Sequence, residues 1–434
     1  MAIVHDQDII WSRGFGYANL KDKVRATPQT RYSICSVSKL FTSMAAMRER
    51  DAGRLDIDKP IGTYLDWYRI KDVERPDGPV TARGIMSHVA GLPREAESPY
   101  WVSAQFPDLA TVKAKLPEQS NLYRAYDAPQ YSNLGMTLLG EAVASASGQN
   151  YHDYVRVNFL TPLGLTRTTS ELPKALYGRE FAIGYKSRKT GWKREPFDSY
   201  TVNAVAPAAG FASTVEDLAR FASWQFRLLD QGGENVLRSS TLREMHRVHW
   251  MTPDKPDQTW GLGFASWQHD GKTLIGHGGY CPGYRTAFFM RPQDKLGYIL
   301  MINANDASPE ALAGELYNLT AADITAAAKA GKDREEAKAP AGPKVDLKVY
   351  EGIYASPAYD DDVYIAAFGE ELLMVPLYAD SASKAADRFR HVSGHSFRRI
   401  RADDTLGEEL RFDIGEAGRA RRVWQHSNYA DRVG

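Results

Sequence analysis

The sequence predicts a mixed α/β fold (α+β) whose sheet is built from both ends of one large domain, followed by a small all-β barrel domain. Two observations predict this arrangement. Segments that favour β-structure open and close the first 325 residues and bracket a helical middle. Beyond that point the composition changes, and short β-rich segments separated by Gly, Asp and Ser turns continue to residue 434.

The composition excludes several classes of protein. Of the 434 residues, 43% are hydrophobic and 25% are charged, which is typical of a globular protein. The 54 basic and 54 acidic side chains give a formal net charge of zero, which argues against nucleic acid or an anionic membrane surface as the partner. Two cysteines are too few for a disulfide-stapled scaffold or a Cys-rich metal site. No apolar run reaches the ~18 residues of a membrane helix.

The first ten residues carry His5, Asp6 and Asp8 and so do not have the character of a signal peptide. We expect a cytoplasmic protein for the chain as given, and a periplasmic or secreted one if a leader was removed upstream. In either case we expect no membrane segment.

A hairpin at the start and four later segments supply the predicted sheet. Ala2–Val4 and Ile9–Tyr17 are apolar and β-prone, with polar residues between them. The later strands are separated by turn sequences such as His269-Asp270-Gly271. They cover residues 261–267, 272–276, 284–290 and 296–303.

Helical periodicity predicts the elements between these strands. The first long helix runs from about Ser36 to Asp51, with basic residues in its last turn. A second runs over residues 133–147 and is followed by Gly148. A third begins near Thr214, and another opens at Ser308, just before a proline.

The change of composition divides the chain into domains. Residues 326–343 are mostly Ala, Lys, Glu, Gly and Pro, which indicates a helix tail that runs into a linker. We therefore predict domains over 1–325 and 344–434. The second domain should be an up-and-down barrel, with strands in the segments 350–354, 362–367, 372–378, 397–401, 409–412 and 422–425.

Ser36 and Lys39 are the ends of an S-x-x-K pattern at the start of the first long helix. Residues three apart share a helix face, so a hydroxyl and an amine should lie together. Burial lowers the pKa of a lysine, and its neutral amine can then take the proton of a serine hydroxyl. A second match, from Ser381 to Lys384, has no apolar helix behind it, and we interpret it as a surface loop.

Tyr131 and Asn133 form a Y-x-N pattern at the start of the second helix. A phenol can relay a proton to a leaving group, and an amide can hold a substrate carbonyl or the lysine side chain. Chance matches occur, as at Tyr17 and Asn19. A tyrosine at such a junction can instead be a packed residue with a satisfied hydroxyl.

His277, Gly278 and Gly279 lie in a predicted strand. Two glycines there indicate that a ligand or another backbone approaches closely, and a substrate could lie along such an edge. A structural histidine is the alternative. The chain has no H-E-x-x-H, no spaced Cys/His cluster, no Walker loop and no G-x-S-x-G, so we predict no metal and no cofactor.

Together, in this order, the three patterns make the chain similar to the serine β-lactamase and penicillin-binding protein superfamily. It resembles the class C-like branch, with its D-aminopeptidases, D-peptidases and family VIII carboxylesterases. The resemblance implies an antiparallel sheet with a helical subdomain, and the C-terminal domain resembles the lipocalin-like β-barrels of some relatives. Further stretches that look like family landmarks cover residues 53–58, 87–93, 162–165, 207–211 and 261–264.

The resemblance implies a role for each patterned residue. Ser36 would be the acylated nucleophile, Lys39 its base and Tyr131 the acid–base partner. His277 would stand where many relatives have the lysine of K-T-G. His88, in the second landmark stretch, is interpreted as a structural loop residue.

The resemblance also implies a substrate-binding set. Asn133 would position the substrate. The strand residues Gly278 and Gly279 would lead to Tyr280, whose backbone N–H would form the oxyanion hole with that of the nucleophile. Arg285, a few residues on, could contact a substrate carboxylate or be an ordinary surface arginine.

The two cysteines flank the implied oxyanion hole. Cys35 directly precedes Ser36, and Cys281 directly follows Tyr280. A similar arrangement occurs in class A carbapenemases, where cysteines at the matching places form a disulfide. The alternatives here are a bridge between Cys35 and Cys281 and two buried thiols that act as small hydrophobic residues.

We therefore expect a serine hydrolase that acts through an acyl-enzyme on small esters or amides, in the manner of a carboxylesterase. A D-aminopeptidase, a D-stereospecific peptidase, a β-lactamase and an acyl transferase are alternatives, as is a non-catalytic binding or sensing module. The expected partner is a small ester, amide or short peptide, and we also consider a homo-oligomer. His277 replaces a fixed cation by a titratable imidazole, which disfavours a β-lactamase.

Overall fold

A computed structural model of the chain describes residues 1–73, 78–96, 99–188, 194–252, 255–336, 345–356, 362–401 and 405–434. It divides into two units, Met1–Lys329 and Ala330–Gly434. Among the residues described, none of the helices combines the length and the apolar character needed to cross a bilayer.

The first unit is built on an antiparallel sheet of eight strands in the order β2-β1-β14-β13-β12-β11-β10-β9. The strand at the N-terminus, β1, pairs with the last strand, β14, with Val4 opposite Gly297. This confirms that the sheet is assembled from both ends of the domain. Its strands are β1 Ala2–His5, β2 Asp8–Ser12, β9 Trp250–Thr252, β10 Lys255–Trp260, β11 Ala265–His269, β12 Lys272–Cys281, β13 Tyr284–Arg291 and β14 Leu296–Ile302.

Three short strand pairs lie outside this sheet and connect the helical segments. Each pair is antiparallel. The second pair joins the segment before the first long helix to the segment before the helix that begins at Val215. They are β3 Tyr17–Asn19 with β4 Val24–Arg25, β5 Tyr32–Ser33 with β6 Ala212–Ser213, and β7 Glu234–Asn235 with β8 Leu237–Arg238.

Local chemistry explains both ends of the helix over residues 133–147. Ser132 caps α5 by accepting the backbone N–H of Gly135 at 2.8 Å, and Gly148 ends the helix with a φ of 66°. The helices of the first unit are α1 Ser38–Asp51, α2 Ala82–Met86, α3 Tyr100–Ser103, α4 Leu109–Lys115, α5 Asn133–Ser147, α6 Tyr151–Val155, α7 Ala206–Ala209, α8 Val215–Gln231, α9 Ser239–His246 and α10 Pro309–Glu336.

Two buried layers cover the two faces of the sheet. On one face, α1, α5 and α8 enclose the larger core, in which Phe41 stacks on Phe211 and Phe221 with ring centroids 5.0 and 4.6 Å apart. On the other face, α10 packs Ala313 and Tyr317 onto the sheet. The sheet is therefore covered by helices on both sides.

The C-terminal unit is a closed barrel in which each strand pairs with the next and β15 pairs with β22. This confirms the predicted all-β barrel, although the segments 387–393 and 428–432 were not predicted as strands. The aromatic rings of Tyr350, Phe397 and Phe412 fill its centre. The strands are β15 Gly352–Ala355, β16 Val363–Phe368, β17 Glu371–Pro376, β18 Asp387–Ser393, β19 Ser396–Ile400, β20 Leu406–Ile414, β21 Ala420–Gln425 and β22 Asn428–Arg432.

Two local predictions differ from the structure. The predicted linker over 326–343 begins inside α10, which continues to Glu336 because its Ala, Lys and Glu residues favour a helix; residues 337–343 lie outside the described part of the chain. The second S-x-x-K match was predicted to be a loop, and its residues Ala382–Ala385 form one helical turn, α11.

A disulfide ties the sheet to the segment before α1. The sulfur atoms of Cys35 and Cys281 are bonded, and their Cα atoms lie 5.7 Å apart. The bond joins the turn Cys35–Val37 to the end of β12 across 246 residues of sequence.

Replacement of Phe41 by alanine should destabilise the first unit strongly. The ring is fully buried between two others, so Phe41→Ala should lower the free energy of unfolding by about 3–5 kcal/mol. Denaturant titration followed by tryptophan fluorescence measures this loss. The control is Phe15→Ala, whose ring is 55% exposed and whose effect should stay within about 0.5 kcal/mol. Equal effects of the two variants would contradict the core described here.

Protein purified without reductant and unfolded in denaturant should react with no iodoacetamide, because both cysteines are in the bridge. After reduction, two carbamidomethyl groups should be added, as counted by mass spectrometry. The double variant Cys35→Ala/Cys281→Ala is the control that should never label, and its unfolding free energy should be lower by about 2–5 kcal/mol. Labelling of the unreduced wild type would show that the bridge does not form.

Candidate active site

Ser36 lies in a 3₁₀ turn, Cys35–Val37, directly before α1. The α-helix therefore begins two residues later than predicted, and Lys39 is in its first turn. Cys35 has a φ of 50°, which is uncommon for a residue with a side chain. The hydroxyl of Ser38 donates to the Cys35 carbonyl at 2.5 Å and accepts the N–H of Phe211 at 3.0 Å. These bonds hold the turn in the bend that presents Ser36.

The amine of Lys39 lies between Ser36 and two carbonyl oxygens. Its Nζ is 3.2 Å from the Ser36 Oγ, and it donates to the Asn133 Oδ1 at 2.7 Å and to the Ala208 backbone oxygen at 2.9 Å. The three partners come from the turn before α1, from α5 and from α7. The packing of these elements thus determines where the amine points.

Burial changes the ionisation of Lys39. The side chain has no exposed surface, and the loss of hydration holds its pKa well below the usual value. The charge of Glu95 opposes this shift, and the charge of Arg94 adds to it. A neutral amine becomes accessible at a lower pH than for a lysine in water.

Tyr131 stands beside the same amine. The Lys39 Nζ lies 4.7 Å from the centroid of the Tyr131 ring, and the phenol hydrogen-bonds to the side chain of Ser36. Burial raises the pKa of Tyr131, and the bond to Ser36 opposes the rise. The phenol is therefore protonated at neutral pH and can donate a proton.

Asn133 links Lys39 to a carboxylate that the sequence analysis did not select. Its Oδ1 accepts from Lys39, and its Nδ2 donates to the Glu95 Oε1 at 2.7 Å. The other carboxylate oxygen of Glu95 accepts from the hydroxyl of Tyr100. The amide of Asn133 is thus fixed in orientation, with its oxygen toward the lysine.

His277 is a neutral imidazole in this site. Its Nδ1 lies 2.5 Å from the carbonyl oxygen of Gly278, and since a carbonyl only accepts, Nδ1 carries the proton. Burial, with a smaller contribution from the charge of Lys39, lowers the pKa of His277 to about 3. Nε2 is buried and has no partner among the described residues. His277 can therefore accept a hydrogen bond and does not supply a cation.

Gly279 lets β12 lie directly against the turn that carries Ser36. A Cβ on this residue would stand 2.3 Å from the Ile34 carbonyl oxygen, so any side chain would push strand and turn apart. The close approach predicted from the two glycines is thus made by another backbone. Tyr280 follows, between Gly279 and the disulfide of Cys281, so both of its neighbours are held against the segment that carries Ser36.

Gly278 and Arg285 belong to the other face of the sheet. A Cβ on Gly278 would lie 3.1 Å from the Glu310 side chain of α10. Arg285 lies opposite Tyr280 in the register of β12 and β13, and its Nη2 is 3.5 Å from the Glu310 Oε2. The alternating faces of a strand separate these side chains from His277. Arg285 therefore lies beside Glu310, on the face of β12 opposite to His277.

Two further rings form a wall of the site. The ring of His88 lies 4.3 Å from that of Tyr131 and 4.6 Å from that of Trp260. Trp260 in turn lies 5.7 Å from His277. Burial holds the pKa of His88 well below its usual value, and its Nδ1 accepts the N–H of Ser132 at 3.4 Å. These contacts support the structural interpretation of His88.

Glu95, Arg94, Trp260 and the carbonyl of Ala208 were not selected from the sequence. Arg94 and Glu95 directly follow the landmark stretch 87–93, which is the one hint of their location in the sequence. The other Y-x-N match lies elsewhere, with Asn19 bonded to the carbonyl of Gly178. In the described part of the chain, no three His, Cys, Asp or Glu side chains are grouped closely enough to hold a metal ion.

The first unit of the chain matches a known protein family. Residues 1–322 match the family described as Beta-lactamase. Protein flp of Staphylococcus aureus (strain COL) is 22% identical over 307 residues, which are 70% of this chain and 59% of that protein. Beta-lactamase-like protein 2 of Dictyostelium discoideum is 26% identical over 318 residues, 69% of this chain and 54% of that protein. The chain thus spans less than two thirds of the length of these relatives.

Solved structures show the same fold. The octameric penicillin-binding protein homologue from Pyrococcus abyssi aligns with a TM-score of 0.64 at 21% identity, over 99% of this chain and 94% of that one. A class C beta lactamase from Rhodobacter sphaeroides gives 0.60 at 19% identity, over 74% and 93%. A D-stereospecific amidohydrolase from Streptomyces gives 0.55 at 22% identity, over 67% and 86%. With a family match that spans residues 1–322, this protein belongs to the Beta-lactamase family.

Proposed function

We propose that this chain is a serine hydrolase that cleaves small esters, and secondarily amides, through an acyl-enzyme at Ser36. The observation that carries the proposal is the fully buried amine of Lys39, 3.2 Å from the Ser36 Oγ. A serine needs an adjacent base to become a nucleophile, and a lysine serves as one when burial keeps its amine neutral.

The hydrogen bonds of the amine fit this role. A neutral amine has two N–H groups and one lone pair. The carbonyl oxygens of Asn133 and Ala208 accept the two N–H groups, and the lone pair is then left for the hydroxyl proton of Ser36. The two carbonyl acceptors therefore orient the lone pair of Lys39 toward the hydroxyl proton of Ser36.

In acylation, the bond between the Ser36 Oγ and the substrate carbonyl carbon forms, and the bond to the leaving group breaks. The Ser36 Oγ attacks the substrate carbonyl as its proton passes to Lys39, and the negative charge on the carbonyl oxygen is stabilised by the backbone N–H groups of Ser36 and Tyr280. When the bond to the leaving group breaks, the proton moves through Tyr131 to that group. Each such N–H donor contributes ~3–4 kcal/mol of transition-state stabilisation.

Deacylation uses the same residues with water as the nucleophile. Lys39 takes a proton from the water that attacks the acyl carbonyl, the bond to the Ser36 Oγ breaks, and that oxygen recovers a proton. The acid is released and the amine is neutral again. Attack by an alcohol or amine in place of water would give acyl transfer with the same balance.

His277 leaves its position on β12 uncharged, which favours an ester over a β-lactam held by its carboxylate at that position. A neutral imidazole in the place of a cation does not attract the carboxylate that a β-lactam carries beside its reactive amide. Amides come second, on the similarity in fold to a D-stereospecific amidohydrolase. A non-catalytic binding module would need no buried base beside the serine, and the position of Lys39 argues against it.

Ser36→Ala should abolish turnover. Removal of the nucleophile should lower kcat for a short-chain aryl ester on the order of 10⁴-fold or more. Initial rates are measured for wild type and variant with the aryl ester, a D-alanine anilide and a chromogenic cephalosporin, and we expect wild-type turnover of the ester.

The matched control is Ser381→Ala, which removes the serine of the second S-x-x-K match and should leave the rate unchanged. Faster serine-dependent cleavage of the anilide would make the protein a D-amidase, and cleavage of the cephalosporin a β-lactamase. Equal rates for wild type and Ser36→Ala on all three substrates would refute a serine hydrolase.

The pH profile of kcat/KM should identify Lys39 as the base. The rate should rise with pH as the amine loses its proton. The midpoint of this rising limb should lie well below the ordinary pKa of a lysine. Glu95→Gln should move this limb to lower pH, because the carboxylate charge raises the pKa of Lys39. Arg94→Gln should move it to higher pH, because the guanidinium charge lowers that pKa.

These profiles are recorded with an uncharged aryl ester, so that the substrate does not titrate. Gln keeps the shape of Glu95 and its hydrogen bond to Asn133, which separates the charge effect from a structural one. Glu180→Gln, on an exposed carboxylate outside the site, is the control and should not move the limb. Shifts of the same sign for Glu95→Gln and Arg94→Gln would exclude Lys39 as the titrating group.

A further inference from the structure

Backbone hydrogen bonds hold Arg94 beside Asn133. Its carbonyl oxygen accepts the N–H of Asn133 at 2.8 Å and the N–H of Leu134 at 3.2 Å, which are orphan donors at the start of α5. The residue therefore stays beside Asn133 whatever its side chain is.

The side chain of Arg94 lies over Tyr131 and is open to solvent. Its Cζ is 4.9 Å from the centroid of the Tyr131 ring, and 60% of the side chain is exposed. One nitrogen, Nε, lies 3.3 Å from the Glu95 Oε1. That oxygen also accepts from Asn133. Neither Nη group of Arg94 forms a hydrogen bond with the described residues, and the ion pair with Glu95 is made at Nε. The fork of the guanidinium is thus available to a ligand.

The other basic groups near Ser36 do not offer a positive charge to a substrate. Lys39 is buried and its pKa is lowered by the loss of hydration. His277 and His88 are buried imidazoles whose pKa values are also lowered. Arg285 lies on the opposite face of the sheet with Glu310. In the described part of the site, the exposed cation is Arg94.

We propose that Arg94 binds a carboxylate on the substrate, so that the hydrolase acts preferentially on esters and amides that carry a second, anionic group. A guanidinium presents parallel N–H donors that match a carboxylate, and charge-assisted pairs of this kind are stronger than neutral ones. This inference rests on the proposed function and names the substrate class of the same site.

Packing on an aromatic ring is the competing explanation for Arg94. Arg25 lies over Tyr17 with the same distance of 4.9 Å from its Cζ to the ring centroid, in the β3–β4 pair. Arg25 is therefore a matched control, because it makes the same contact with a different tyrosine, Tyr17.

The test compares esters that differ in one charge. One pair is 4-nitrophenyl hydrogen adipate and its methyl ester, with the carboxylate on the acyl side. The other is 4-acetoxybenzoate and its methyl ester, with the carboxylate on the leaving group. Wild type should prefer the anionic member of at least one pair in kcat/KM, at a pH above the limb assigned to Lys39.

Arg94→Gln should lower the ratio of kcat/KM between the anionic and the neutral ester by about tenfold to a hundredfold. This is the range expected for the loss of a hydrogen bond to a charged group. The loss should occur as a higher KM for the anionic ester, and Arg94→Lys should restore part of it. The ratio within a pair cancels any effect of the variant on Lys39. Arg25→Gln should leave the ratio unchanged.

The outcomes separate the inference from the function on which it rests. Ser36-dependent turnover with equal rates for charged and neutral esters, or a preference that survives in Arg94→Gln, would overturn the inference and leave the hydrolase intact. No Ser36-dependent turnover of any of the four esters would overturn both.

Discussion

The amine of Lys39 is the group around which the first unit is organised. It has no exposed surface, and it reaches Ser36 together with carbonyl oxygens from α5 and α7. These helices can enclose it because α5 carries Gly140 where it meets α7: a Cβ there would stand 2.3 Å from the Pro207 ring. Because a charged amine in this position would lack hydration, the same packing that orders the helices also sets its ionisation.

The sheet contributes to the site through the two faces of one strand. Along β12, the residues His277, Gly279 and Cys281 lie on the face toward the turn Cys35–Val37. Gly278, between them, lies on the face toward α10. Gly279 permits the contact with the turn, and the disulfide of Cys281 maintains it. One strand therefore lies against the turn that carries Ser36, while Arg285 and Glu310 pair behind it.

Charge in the site is divided between a buried and an exposed layer. Inside, Glu95 is held by Asn133 and Tyr100, and it acts on Lys39 through the amide between them. Outside, Arg94 faces solvent over Tyr131. His277 adds no charge between these layers, because burial lowers its pKa to about 3.

The sequence by itself determined many of the elements, since periodicity and turn residues act over a few positions: α5 covers the predicted residues and ends before Gly148, and most barrel strands were found from their patterns. It also predicted that the side chains of Ser36 and Lys39 lie together, because their spacing is local, and the two groups are 3.2 Å apart. Long-range packing decided the rest: that Glu95 lies behind Asn133, that Arg285 belongs to the far face of β12, and that the two cysteines are bonded across 246 residues. No local pattern encodes these contacts, because they depend on how the turn before α1, the helices and the sheet meet in three dimensions.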